Sequence, residues 1–298
     1  MYRKIKFLIE TLKQAGVEWN KSSASKDSAS LAYYAIFSIP GFLVIIIWVV
    51  GYFFGEEATR GELSLQVSDM MGVEAAKSIE NIIANASIDK QNIFMKIVGV
   101  ASLIFGSTTL FFQLQHSLNA LWRVKASPKK AFIKFLLDRI NSLGMILIIG
   151  FLFMITMLLS SLVSLLNAWI TQYFGLGTYI LVQAINFIFG FGLVFILFSL
   201  IFKMLPDIQI GWKPVFNGAF LTTVLFTFGK ILLSIYFNKF KPTSTFGAAG
   251  TVVLIMMWIN YSCMIMFFGA QFIRVYILKK GYSVTPSKHA SWSDDVIN

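Results

Sequence analysis

Residues 140–202 read INSLGMILIIGFLFMITMLLSSLVSLLNAWITQYFGLGTYILVQAINFIFGFGLVFILFSLIF, 63 residues from Ile140 to Phe202 without one Asp, Glu, Lys or Arg. A hydrocarbon core about 30 Å thick is crossed by roughly 20 apolar residues in helical form, so this run encodes two spans and the turn between them. Gln172 to Thr178, where glycines and polar groups gather, is the expected turn. Arg139 and Lys203 bound the run at its two ends.

Working outward, other uncharged runs give the remaining spans. We expect an all-α polytopic membrane protein with six transmembrane helices at about 31–54, 97–122, 140–170, 178–202, 214–237 and 248–273. In lipid every backbone polar group needs an internal partner, which leaves helices or closed barrels. The segments lack the strict alternation of barrel strands. Composition agrees: 57% hydrophobic residues, 13% charged and a mean hydropathy of +0.73, where a soluble protein carries about a quarter charged.

Charge placement sets the orientation. Segments 1–27, 123–139, 203–213 and 274–298 together hold 18 Lys/Arg against 7 acids, whereas 56–96 and 238–247 hold 6 against 7. The positive-inside rule therefore puts both termini in the cytoplasm. The net charge of +11 then belongs to a face that meets anionic headgroups. Because the basic residues are spread over four segments, a nucleic-acid partner is not expected. Membrane lipids are the expected partners, and homo-oligomerisation stays open.

Outside the spans, residues 1–27 form a cytoplasmic amphipathic segment, with Ile5, Leu8, Ile9, Leu12, Ala15 and Trp19 at helical spacing. They lack the apolar core of a cleavable signal peptide. The loop 56–96 is too long for a plain connection and shows helical periodicity, broken at Gly72. Residues 274–298 form a cytoplasmic tail, expected to be disordered beyond Lys280.

Polar groups inside the spans are the candidate site. Gln113, His116, Asn119 and Arg123 recur at spacings of three or four and form one predicted stripe on the second span. Desolvated amides and an imidazole need partners, so the stripe faces other helices or a wet cavity. It serves interhelical hydrogen bonding or walls a substrate path; both readings are open. Lys230 is the one charge well inside a predicted span, either binding an anionic group or snorkelling to the surface. Tyr34 precedes Pro40, which removes a backbone donor and offers a kink for gating or for packing alone. Asn260 and Gln271 add amides to the last span.

Enzyme signatures are lacking. There is no HExxH, GxSxG or P-loop, Cys263 is a lone cysteine, and the spans as drawn hold one imidazole and no carboxylate. No cofactor, metal site or catalytic residue is expected.

Several segments together resemble the YihY/BrkB family of bacterial inner-membrane proteins. They are Ala29 to Pro40 (ASLAYYAIFSIP), Leu114 to Trp122 (LQHSLNALW), Leu205-Pro206-Asp207, Gly218-Ala219, Phe246 to Gly250 (FGAAG), Trp258 and Gly269-Ala270-Gln271. Their order and spacing cover nearly the whole chain. Where the family usually reads Gly-Ala-Glu, this chain has Gln271, so any charge-dependent role of that acid is lost here. The resemblance implies a six-helix membrane protein without a settled activity, whose members have been labelled ribonuclease BN, serum-resistance factors, transporters or lipid-export proteins.

The sequence thus leads to a transporter or lipid-handling protein for an amphipathic or anionic substrate. Tyr34, Gln113, His116, Asn119, Lys230, Asn260 and Gln271 are its lining candidates and Pro40 its kink. The alternatives are a non-catalytic membrane scaffold or regulator and an intramembrane hydrolase; ribonuclease activity fits poorly.

Overall fold

The structure is a computed structural model and describes residues 2–85, 93–127, 131–174, 177–240, 242–287 and 290–293. Its elements run α1 (Tyr2–Lys21), α2 (Ala24–Phe54), α3 (Glu56–Met71), α4 (Val73–Asn85), α5 (Ile93–Leu121), β1 (Val124–Ala126), α6 (Ala131–Phe174), α7 (Gly177–Met204), β2 (Ile208–Gln209), α8 (Trp212–Phe240), α9 (Pro242–Lys280), β3 (Thr285–Pro286) and β4 (Ala290–Trp292). The fold is helical, as the uncharged runs predict. Among the described residues, five helices are long and apolar enough to cross a membrane by length and composition: Ala24–Phe54, Phe135–Val163, Gln183–Met204, Trp212–Tyr236 and Val252–Lys280. The described residues of α5, the expected second span, do not add a sixth to these five. The turn expected at 172–178 falls between Phe174 and Gly177, with 175–176 outside the described residues.

Burial ranks the helices. Within their most apolar windows α2 and α9 are 44% buried, but α6 and α7 only 22%. So α2 and α9 form the centre, and the two helices of the long uncharged run lie at the periphery, with Phe151, Leu158, Phe187 and Ile188 turned outward. The main core is Leu31, Ile46, Phe111, Leu118, Met145, Phe198, Phe202, Val215, Phe267 and Ile273, drawn from six helices. In hydrocarbon, helices gain little by hiding apolar groups from lipid, so close packing carries the association. The α8–α9 contact shows how. Gly229 leaves room for the Tyr261 ring, Gly218 for Ile273, and Gly269 for the Thr222 side chain. The Gly-Ala motifs at 218 and 269 are thus seats for side chains of the opposing helix.

At the end of α2 the chain turns sharply into α3. Gly55 has φ +88°, and a Cβ on Gly51 would lie 3.2 Å from the Glu56 Cα. Gly72, φ +89°, separates α3 from α4. Leu63, Val67, Ile79 and Ile83 of this helix pair pack on Leu43 and Ile47 of α2 and Ile255 of α9. Ser160 of α6 donates to Glu62 Oε1 at 3.3 Å.

The opposite end is clasped by two small antiparallel ribbons. β1 pairs with β4, Lys125 opposite Ser291, and β2 pairs with β3, Ile208 opposite Pro286. The expectation of a disordered tail is corrected for 282–287 and 290–293. Val284, Ala290 and Trp292 pack against the main core, and the Ser287 and Ser293 amides donate to the Asp207 and Arg123 carbonyls. Residues 288–289 and 294–298 lie outside the described residues. Together with α1, whose Ala15 packs on Phe272 and Val275 of α9, the ribbons gather all four basic segments at one end of the bundle.

Glycine seats and open glycines are expected to respond oppositely. Gly229→Leu, driven into Tyr261, should destabilise by about 1–3 kcal/mol. Gly16→Ala, with nothing within 4 Å of its added carbon, should stabilise by up to about 1 kcal/mol. Thermal unfolding in detergent reads both.

Candidate functional site

The predicted polar stripe on α5 does not survive as one face. The buried positions among the described side chains are Ser107, Thr108, Phe111, Leu114, Gln115, Ser117, Leu118, Asn119, Leu121 and Trp122; all but Ser117 and Leu121 follow three- and four-residue steps that make one stripe. His116 lies on the outward face, Gln113 is half-buried and Arg123 is exposed. Gln115, which carries the inner stripe with Asn119 at i, i+4, is the residue the sequence reading missed.

What Gln115 and Asn119 meet is acidic. The Asp207 backbone N–H donates to Asn119 Oδ1 at 2.7 Å, and Asn119 Nδ2 donates to Asp207 Oδ2 at 2.9 Å. The amide of Asn119 is therefore spent at both ends on one residue. Gln115 Nε2 lies 3.3 Å from Asp207 Oδ1 and 3.3 Å from Asp138 Oδ1. Gln115 and Asp138 are 5% and 7% exposed, so these bonds work in a low dielectric where charge assistance raises their worth to about 1.5–3 kcal/mol each. Asp207, between α7 and β2, is the point where α5, α6 and the tail are tied together. The other two helix-end neighbours behave differently: Arg139 lies over the Phe105 ring at 4.4 Å and donates to Thr108 Oγ1 at 2.8 Å, while Lys203 Nζ donates to the Ile210 carbonyl.

The remaining candidates sit on α2, α8 and α9. Lys230 is half-buried and has no hydrogen bond or ion pair among the described residues. It adjoins Gly229, and Asn260 adjoins Tyr261; since Gly229 and Tyr261 touch, Lys230 and Asn260 lie at one level of the α8–α9 pair. Asn260 Oδ1 is buried without a hydrogen-bond partner. Gln271, 1% exposed, also has an unpartnered Oε1, but 11 residues along α9 place it about 16 Å from Asn260. Tyr34 is half-buried with its ring against Tyr33. Pro40 lies inside α2, which runs as one helix, and the nearby Ser38 Oγ is buried without a partner. The seven lining candidates are thus not gathered into one place: Asn119 belongs to the acidic node, His116 to the outer surface, and Lys230 with Asn260 to a level in the α8–α9 pair.

Among the described residues no group of three His, Cys, Asp or Glu is placed to hold a metal. A cavity of about 340 Å³ lies between α3 and α4, walled by Leu63, Ile79 and Ile83 with Arg60, Ser64 and Asn81 at its polar side.

Long apolar helices packed at glycine seats, with their polar ties at one end, define an integral membrane protein built as a helical bundle. The chain belongs to the family described as virulence factor BrkB, whose model matches residues 16–293. It is similar to proteins named UPF0761 membrane protein: one from Saccharophagus degradans, 24% identical over 91% of this chain and 60% of that protein; one from Alteromonas mediterranea, 23% identical over 81% and 79%; and one from Haemophilus influenzae, 26% identical over 85% and 91%. The chain therefore spans less than two thirds of the Saccharophagus protein. Their names indicate no catalytic function. No solved structure matches the chain.

The node predicts a graded pair of variants. Asn119→Leu should cost roughly 3 kcal/mol, since Asp207 loses both bonds, and should expose the tail to trypsin at Lys279 and Lys280. Asp207→Asn keeps the backbone bond to Asn119 and should lose less. Limited proteolysis beside a thermal unfolding curve checks the order.

Proposed function

We propose that this protein is a six-span protein of the bacterial cytoplasmic membrane, with both termini inside, that binds and moves an amphipathic anionic substrate along the α8–α9 face. The observation that carries the reading is the level that Lys230 and Asn260 share on α8 and α9. Among the described residues, a cation with no hydrogen bond or ion pair and an amide oxygen without a donor stand at the same level of two apolar helices. Desolvated groups of that kind are costly unless something meets them. A substrate headgroup carrying both an anionic oxygen and a hydroxyl or ammonium donor satisfies both at once, and its apolar part suits the exposed Phe228, Ile231 and Val253 nearby.

Support for six spans comes from the clasped end. The strand pairings bring the end of α5, the start of α6, the end of α7, the start of α8 and the end of α9 together. The packing of α5 on α2 and on α6 supports counting it as a sixth member of the bundle. The gathered segments are the basic ones, which the positive-inside rule assigns to the cytoplasm.

A second reading, a non-catalytic scaffold or regulator, draws on the acidic node: Gln115 and Asn119 are committed to protein partners and form part of a fixed cytoplasmic platform. In that reading Lys230 snorkels.

Two measurements bear on the proposal. In a Cys263→Ser background, a membrane-impermeant maleimide applied to intact cells should label Ser64→Cys and leave Ser22→Cys and Ser287→Cys unlabelled until the cells are opened; the reverse pattern defeats the orientation. A photoactivatable phosphatidylglycerol should crosslink to peptides around Lys230 and Asn260, with the yield reduced about tenfold in Lys230→Met, the loss of one charge-assisted bond, at unchanged melting temperature. Equal yields in the variant and the parent defeat the site.

A further inference from the structure

At about 100° per residue α1 divides into three sectors. Phe7, Thr11, Ala15 and Glu18 form the docked sector: Thr11 and Ala15 are fully buried, and Ala15 packs with Phe272 and Val275 of α9. Ile5, Leu8 and Ile9 form a second, apolar sector that stays 47–49% exposed. Lys6, Glu10 and Lys13 form the third, and all three are exposed. A helix docked along one edge, with an apolar strip beside it and a charged strip beyond, has the section of a helix lying in a bilayer interface.

The junction with α9 adds a second layer. Lys280 Nζ stands 4.8 Å from the centroid of the Phe7 ring. Phe7 meets Tyr276 edge-on at 5.8 Å, and Tyr276 stacks with Tyr282 at 6.3 Å. Aromatic rings of this kind settle at headgroup level, and cations beside them are placed to meet phosphates. Among the described side chains the charges there include Arg3, Lys6, Lys13, Lys21, Arg274, Lys279 and Lys280 against Glu10 and Glu18. The apolar strip needs acyl chains and the surplus cations need anions; a leaflet containing anionic phospholipid supplies both.

We infer that the α1–α9 junction is a recognition surface for anionic phospholipid of the cytoplasmic leaflet, separate from the Lys230 level. Ile5, Leu8 and Ile9 enter the acyl boundary, and Lys6 and Lys280 hold headgroup phosphates beside Phe7. Each such lysine contributes about fivefold to the preference for an anionic over a zwitterionic lipid, the free energy of one basic residue near a charged leaflet.

The test uses the full chain in nanodiscs of phosphatidylcholine with or without phosphatidylglycerol. A fluorophore on Ile9→Cys, in the Cys263→Ser background, should be quenched by nitroxide on lipid tails, and one on Lys13→Cys by a water-soluble quencher. Native mass spectrometry should show phosphatidylglycerol retained over phosphatidylcholine, with the preference falling about fivefold in Lys6→Gln and again in Lys6→Gln/Lys280→Gln. Lys213→Gln, on an exposed lysine of α8 at the same end of the bundle, should leave it unchanged. An aqueous Ile9 label, equal retention of the two lipids by the parent, an equal loss in Lys213→Gln, or displacement by free glycerol phosphate would each overturn the assignment. The last would make the surface a soluble-anion site.

Discussion

Everything in this bundle rests on how helices find one another where there is no water to escape from. Lipid tails are as apolar as leucine, so burial of leucine does not hold two spans together. The chain answers with close seats and polar ties. Gly218, Gly229 and Gly269 admit Ile273, Tyr261 and Thr222 across the α8–α9 seam. Asn119 and Gln115 fasten α5 to Asp207 and Asp138 at the clasped end. The seats give proximity along the helix axis, and the ties fix which ends come together. The peripheral α6 and α7 contribute fewer contacts with the rest of the bundle and present their flanks outward, which is why their sequence carries so few polar groups.

Most of the architecture was legible because it follows from charge and length. The uncharged runs locate the long helices, since only a helix satisfies its own backbone in lipid. The basic segments, read as one face, turn out to share one end of the bundle. Two things were not legible. The tail lacks the length and hydrophobicity of a core element, yet Val284, Ala290 and Trp292 suffice to hold it once strands β1 and β2 are there to pair with. Those strands are two and three residues long, and no periodicity announces so short a pairing.

The site divided along similar lines. Helical spacing alone allowed Gln113, His116 and Asn119 to share a stripe, but the same spacing allowed Gln115 and Asn119, and the packing of Phe111, Leu118 and Trp122 chose the latter. Asp138 and Asp207 lie at the edges of the uncharged runs, so a count of charges within the spans missed both carboxylates. Lys230 stood out because it interrupts an apolar helix, and among the described residues it has no hydrogen bond or ion pair. The level it shares with Asn260 emerged only from the Gly229–Tyr261 contact, a pairing between helices that sequence spacing cannot supply.

The central claim is that Lys230 and Asn260 await a headgroup. A density map of the full chain reconstituted in nanodiscs containing phosphatidylglycerol tests it most directly. The account predicts ordered headgroup density within hydrogen-bond distance of the Lys230 Nζ and the Asn260 amide, with an acyl chain along α8–α9. Asn260 bonded to a neighbouring helix, with Lys230 extended to the aqueous surface and no lipid between them, would contradict it.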